Sequence, residues 1–467
     1  MVYDLVLKNG YIVDPKNEFE GLADIAIKNG KIAEVNSNRN SGLKSLEYFD
    51  ISGLYLCPGL IDCHVHLTSE FGGPIGYPML AKAGVTTAID FAGPVEEIHK
   101  DLPEFGTGLN IGCCNAILPM TNINSNNPSK KEIEEFIDDR LEKGSLGIKI
   151  LGGHFPLTPA AIKHAIEYCN KKKVFVASHA GSTETGSNIK GMEEAIKLAA
   201  DNRLYVAHVN AYCRGLIEDP ISEVLIAIEL LKNKKNIFSG SHLGTINGTS
   251  AKCTEGKPAS HVTRNCLRMR EYEISEHGLE KAILDGYGLI HIETDRGTEF
   301  ITGSDGVKRW KEAKTNSLIS FPVNRSDSNF LLATDKDKKC SFIVDVISTD
   351  GGSIPRNLLL ERGLCLVKFG SISIKEMVTK MSLTPANLLG LANKGHLTVG
   401  ADADFTIFDY EKQNAVHSIV NGNFVLKNRR LVGKRGKVLV TKNGVKYVNN
   451  IGMLYTICQP EKSTFYQ

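Results

Sequence analysis

The feature that most constrains this chain is an alternation. Eight short apolar runs are separated by stretches of helical period: LIDCHVHL at 60–67, VTTAIDFA at 85–92, NIGCCNAIL at 110–118, LGIKIL at 146–151, VFVASH at 174–179, LYVAH at 204–208, NIFSGSH at 236–242 and FIVDVISTD at 342–350. Runs this apolar suit parallel strands covered on both faces. The intervening stretches open as helices should. Ser129 followed by Glu132 predicts a capping box ahead of a stripe made by Ile133, Phe136, Ile137 and Leu141. Thr158-Pro159 and Asp219-Pro220 each place a cap before a first-turn proline. Eight strand-then-helix units predict an α/β fold, a (β/α)8 TIM-like barrel whose chemistry sits at the C-terminal strand ends.

The two ends of the chain read differently. Residues 1–55 carry short alternating strands with Asn-Gly at 9–10 and 29–30, and DADFTIFD, HSIVNGNFVLKN and GKVLVTKNGVKYV repeat the style after 398. Asn-Gly between apolar residues predicts a hairpin. A few hairpins bury too little surface to stand alone. The ends are therefore expected to join in one small β-sandwich domain, 1–55 plus 398–467, beside a barrel spanning 56–397. Within the barrel, segment 243–341 is polar, rich in turns and elaborated. Its run GLIHIET at 288–294 competes with NIFSGSH for the place of seventh barrel strand.

Charge disfavours some partners. Lys+Arg number 55 and Asp+Glu 53, a net charge of +2, so no strong field points at nucleic acid or an anionic membrane. No run approaches 18 apolar residues, and the opening MVYDLVLKNG lacks a basic segment followed by an apolar one. The eleven cysteines include no CxxC pair and read as small buried hydrophobes. A cytoplasmic protein is expected, with a homo-oligomer left open.

The strand ends hold the informative residues. His64 and His66, at i and i+2, share the face of the first strand that points into the barrel. His179, His208 and Asp350 close the fifth, sixth and eighth runs. Each alone reads as a polar residue at a strand end, but five on one rim suit a divalent metal. Lys149 lies between Ile148 and Ile150 and should be buried, where an ammonium is costly unless paired or neutralised. Carboxylation by carbon dioxide would turn it into a two-oxygen anion able to bridge two metals. The alternative is a lysine reaching the rim or a carboxylate.

PGLIDCHVHL, Lys149, His179, His208, STDGG at 348–352 and LTPANLLGL…KGHLTVGADADFTIFD together resemble the amidohydrolase superfamily over nearly the whole chain. The resemblance implies that His64, His66 and Asp350 bind the more buried metal. It also implies that carboxylated Lys149 bridges the pair and that His179 and His208 hold the second ion. Lys149 is similar to the binuclear branch of dihydroorotases, hydantoinases and isoaspartyl dipeptidases. STDGG is closer to the linear-amide branch that includes D-aminoacylases, so linear and cyclic amides both stay open. Two metal ions, Zn2+ first with Mn2+, Fe2+ or Co2+ as alternatives, would generate hydroxide from a shared water. Asp350, as general acid/base, would carry its proton to the leaving nitrogen.

Further candidates would meet the small-molecule amide. Tyr212 and Arg214 follow His208 on a loop expected to overhang the metals, and an arginine there offers a carboxylate a fork. His154 is placed to stabilise a tetrahedral intermediate, against the alternative of an ordinary loop histidine. His242 rivals His208 as a ligand, but His208 follows His179 by 29 residues, close to one strand–helix unit, and is preferred, while His291 and Asp90 read as structural. Two other functions stand beside amide hydrolysis: deamination of an amino-heterocycle on one metal, and a non-catalytic dihydropyrimidinase-like protein. Lys149 weighs against the first and the full residue set against the second.

Overall fold

The computed structural model describes residues 2–37, 42–232 and 234–467. Seven of the apolar runs form consecutive parallel strands: Leu60–His66, Val85–Asp90, Asn110–Ile117, Gly147–Leu151, Phe175–His179, Leu204–Val206 and Ile237–His242. The eighth run lies as Val346–Ser348 beside the seventh strand and as Gly351–Gly352 beside the first. Both edges of the sheet thus belong to one segment, and the barrel closes through Thr349 and Asp350. NIFSGSH is the seventh strand.

GLIHIET lies instead in a separate sheet. Leu289–Thr294 pairs with Gly297–Ile301 and Leu318–Ser320, and Thr249–Ser250 completes four strands. Helices Glu276–Leu284 and Gly303–Glu312 cover this sheet, and Trp310, Leu279, Ile283, Ile290, Ile319 and Phe321 form a core of its own. Segment 243–341 is inserted between the seventh and eighth barrel strands; its sheet and helices up to Val323 form a subdomain, whereas helix Ser326–Thr334 packs on barrel helix Pro220–Leu231 and the seventh strand.

The ends of the chain meet in a nine-stranded sheet. Tyr55–Pro58, the last N-terminal strand, pairs antiparallel with Phe405–Asp409, the first C-terminal one. Asn29-Gly30 and Asn421-Gly422 form hairpin turns with positive φ at both residues. Asn9-Gly10 does not. Tyr3–Asp14 runs straight through it with only a register shift, and a side chain at Gly10 would sit 2.5 Å from Ile51 Cδ1. The pair makes a bulge because the strand has partners on both sides of it. The last segment leaves this sheet. Lys437–Val440 lies parallel to barrel strand Asn110–Ile117, and Lys442–Gly444 leads into helix Val445–Asn450 rather than a hairpin.

Helix caps follow the sequence with one correction. Ser129, Thr158 and Asp219 accept from first-turn amides. Glu132, however, takes the Asn124 amide rather than completing a box with Ser129. The reciprocal capping box forms at Ser373 and Glu376. No helix among the described residues is long and apolar enough to cross a membrane.

Candidate metal centre

The first strand alternates its side chains, so His64 and His66 both project into the barrel mouth. The chain brings Asp350 to them by three backbone links across the closing seam. Asp350 N–H donates to the His64 carbonyl at 2.9 Å, Ser353 N–H donates to the His66 carbonyl at 2.8 Å, and Thr349 N–H donates to Asp62 at 3.1 Å. Asp62 also accepts the Thr349 hydroxyl, and burial pushes its carboxyl up to about 7 against the pull of these donors. Asp350 itself adopts φ 53°, which turns its carboxylate inward.

The result is a tight donor set. Asp350 Oδ1 lies 2.9 Å from His66 Nε2 and 3.2 Å from His64 Nε2, and one donor atom from each residue falls within 4.8 Å of the others. Donors bound at about 2.1 Å to one cation stand about 3 Å apart, so the spacing fits a shared ion. Burial, then the neighbouring Lys149, keeps the His64 imidazole neutral, the form that binds metal. Burial alone would raise the Asp350 carboxyl, but Arg356 and the surrounding imidazoles hold it well below the usual range.

A second pair of imidazoles completes the rim. The His179 and His208 ring centres are 4.4 Å apart, and His208 stacks on His64 at 5.0 Å. Burial drives both well below an ordinary histidine. His179 Nε2 is 2.7 Å from Ser187 Oγ, while His208 stands at φ 35°, in the left-handed region, directly after its strand. Lys149 is fully buried on the fourth strand, its Nζ 4.7 Å from the centre of the Phe91 ring and without a hydrogen-bond partner among the described residues. In register with it stand Ala116 and Ala177, whose small side chains leave room around the amine. Burial pushes the amine down to about 7. An uncommitted buried amine beside these imidazoles fits a group added to Nζ.

The substrate candidates divide. His154 and Arg214 line the cavity above His64, His66, His179, His208 and Asp350. Tyr212 does not. Its hydroxyl accepts from Ala180 N–H at 2.8 Å and donates to the Ala207 carbonyl at 2.9 Å, bracing the strands that carry His179 and His208. His242 stands outside the cavity as well, fully buried against the Asn210 side chain, and burial pushes it down to about 3. His291 contacts Ser320 inside the inserted sheet, and Asp90 accepts the amides of Leu67, Ala92 and Gly93.

Sequence reasoning missed three contributions, from four residues. Arg356, six residues after Asp350, is buried and grips it. Asp62, two residues before His64, clamps Thr349. His261 and Asn265, on helix His261–Arg268 of the insertion, form part of the cavity wall. Only proximity in chain to known site residues hinted at the first two. Segment 243–341 was expected at the mouth, but no motif in it singled out the third.

Comparison with known proteins adds a family to this geometry. A family model described as the amidohydrolase family matches residues 55–439. The sequence is 24% identical over 470 residues to the dihydroorotase of Aquifex aeolicus (strain VF5), covering 95% of this chain and 99% of that protein. The fold resembles N-acyl-D-glutamate deacylase from Bordetella bronchiseptica, solved with zinc and a phosphonate inhibitor. The TM-score there is 0.69 at 14% identity, over 94% of this chain and 99% of that one. It also resembles a D-aminoacylase studied for its binuclear metal centre, with a TM-score of 0.65 at 15% identity over 93% and 99% of the two chains.

Proposed function

The chain belongs to the amidohydrolase family, and from that premise we propose that it hydrolyses an amide C–N bond of a small molecule at a centre of two divalent cations. The substrate is either N-acyl amino acid- or dipeptide-like, or a cyclic amide. One observation carries the reading: Asp350 Oδ1 stands 2.9 and 3.2 Å from two imidazole nitrogens, beside a buried lysine amine with no hydrogen-bond partner among the described residues.

His64, His66 and Asp350 would hold one ion, and His179 and His208 the other. Zinc suits these donors, and manganese, iron or cobalt would also accept them. Lys149, with its amine pushed down to about 7, is substantially unprotonated near neutrality. An unprotonated amine could take up carbon dioxide with loss of one proton, and the anionic Lys149 would then join the histidines and Asp350 in holding the cations. Bound there, the cations would polarise a carbonyl and lower the pKa of water.

The chain's own groups supply the rest. Asp350 is the proton carrier: Oδ1 takes the proton of the attacking water and returns it to the leaving nitrogen. Arg356 keeps the other oxygen fixed through this cycle. His154, pushed down to about 4 by burial, is neutral at the cavity wall and can donate to the oxygen that becomes negative. In this reading 56–397 carries the chemistry with 243–341 as part of its wall, and 1–55 with 398–467 flank it. The eleven cysteines, all unpaired, suit a cytoplasmic setting.

The test loads purified protein with Zn2+ in bicarbonate, counts metal per chain, and screens N-acyl amino acids, dipeptides, hydantoins and dihydropyrimidines. Carboxylate and ammonia release are both followed. Two metal equivalents with carboxylate release are expected. Ammonia from an amino-heterocycle would favour deamination, and absence of stoichiometric metal would end the reading.

A further inference from the structure

We propose that the substrate carries a carboxylate and that Arg214 receives it. The inference rests on the amide-hydrolase reading only for the bond that is cut. Its starting point is the charge around the cavity. Among the described residues that line it, Asp350 is the one carboxylate, and Arg214 and Arg356 are the arginines. Arg356 is already committed. Nη2 binds Asp350 Oδ2 at 2.5 Å, Nε donates to the Asp350 carbonyl at 2.6 Å and Nη1 donates to the Ile246 carbonyl at 2.6 Å.

Arg214 is the unmatched charge. Its Nε donates to Asn324 Oδ1 at 2.8 Å, and no carboxylate among the described residues pairs with it. Asn324 is itself fixed, since its Nδ2 donates to the Ile246 carbonyl at 2.9 Å. The guanidinium is therefore oriented by the insertion, with its two terminal nitrogens left for a ligand. A guanidinium does not shed its proton at physiological pH, so it needs a counter-charge where water is scarce. A carboxylate matches the fork in shape and charge.

The surroundings describe the rest of the molecule. Helix His261–Arg268 sets Val262 and Cys266 toward the cavity, and Leu216, Met269 and Val323 join them. Asn265, within 3.3 Å of His261 on the preceding turn, adds an amide to the same wall. A substrate with a carbonyl at the metal donors, an apolar body and a carboxylate at Arg214 fits this distribution. A carboxyl-free hydantoin or dihydropyrimidine would leave the arginine unanswered.

The test uses the full-length, metal-loaded protein and matched probes: N-acetylamino acids against their primary amides, and dihydroorotate against dihydrouracil. Turnover and calorimetric binding are both measured. The acids should be favoured by about 100-fold or more in kcat/KM or in affinity. Arg214→Met should reduce that preference by about 10- to 100-fold, chiefly through KM, and Arg214→Lys should recover part of it. Melting temperature and metal content check that the variants fold. Uncharged probes handled as well as the acids, no acid binding, or a preference unchanged in Arg214→Met would each overturn the proposal. The wild-type comparison decides the matter even where a variant does not fold. Acids that bind without C–N cleavage would support the anion site and sink the hydrolase reading. Cleavage of amides in preference to acids would do the reverse.

Discussion

Arg356 holds Asp350 at two points: Nη2 on carboxylate Oδ2 at 2.5 Å and Nε on the main-chain carbonyl at 2.6 Å. The aspartate is left with one free oxygen, and that oxygen faces His64 and His66. The third arm of the guanidinium reaches the Ile246 carbonyl, so the Asp350 carboxylate and the insertion are tied through one side chain. A cation held by Asp350 would meet it through Oδ1.

Breaking that grip leaves a buried carboxylate without its partner. Arg356→Met should cost about 3–5 kcal/mol in denaturant unfolding of the metal-free protein. Adding Asp350→Asn should restore part of the loss, because the unpaired charge is then gone. A double variant no more stable than Arg356→Met would show that the pair is not coupled.

The proposed second metal position would depend on a glycine. A methyl group at Gly153 would stand 2.0 Å from His179 Nε2, so the imidazole must move. Gly153→Ala should lower bound metal from two equivalents toward one while the far-ultraviolet circular dichroism stays unchanged. Lys149→Met should do the same by removing the bridge, and should also abolish dependence on bicarbonate. Elemental analysis after dialysis reads both.

Acid should destabilise the protein through His99. Both of its ring nitrogens are buried without partners, and burial pushes it down to about 4 from an ordinary 6.5. Between those values the unfolded chain binds a proton that the folded chain refuses, so stability is full above about pH 6.5 and falls as the pH drops toward 4. The loss is about 2–3 kcal/mol for this group. His99→Phe should flatten the stability curve over that window by a similar amount in urea unfolding at stepped pH.

Trp310 is the one tryptophan in the chain, fully buried in the inserted subdomain with Nε1–H donating to the Ala251 carbonyl at 3.0 Å. Its fluorescence should report that subdomain alone. Trp310→Ala should cost about 3–5 kcal/mol locally and open 243–341 to proteolysis and hydrogen exchange. Metal content should hold, since His64, His66, Lys149, His179, His208 and Asp350 all lie outside the segment. Loss of metal with the mutation would show the insertion to be part of the metal site's framework.

What the sequence alone determined was whatever depends on local period and residue type. Eight apolar runs specify parallel strands because only a strand covered on both faces is that apolar, and HxH at a strand end puts two imidazoles on one face. Lys149 stood out because an isolated amine inside LGIKIL has no local partner. Tertiary structure decided everything that depends on which distant groups share a low-dielectric space. It made Asn9-Gly10 a bulge and Asn29-Gly30 a turn, because strand partners and not the dipeptide set the outcome. It turned Tyr212 onto backbone groups and buried His242 against Asn210. It also set Arg356 against Asp350 and left Arg214 without a carboxylate. Charge pairing falls off with distance in space and is indifferent to distance along the chain, so no spacing in the sequence could have separated those two arginines.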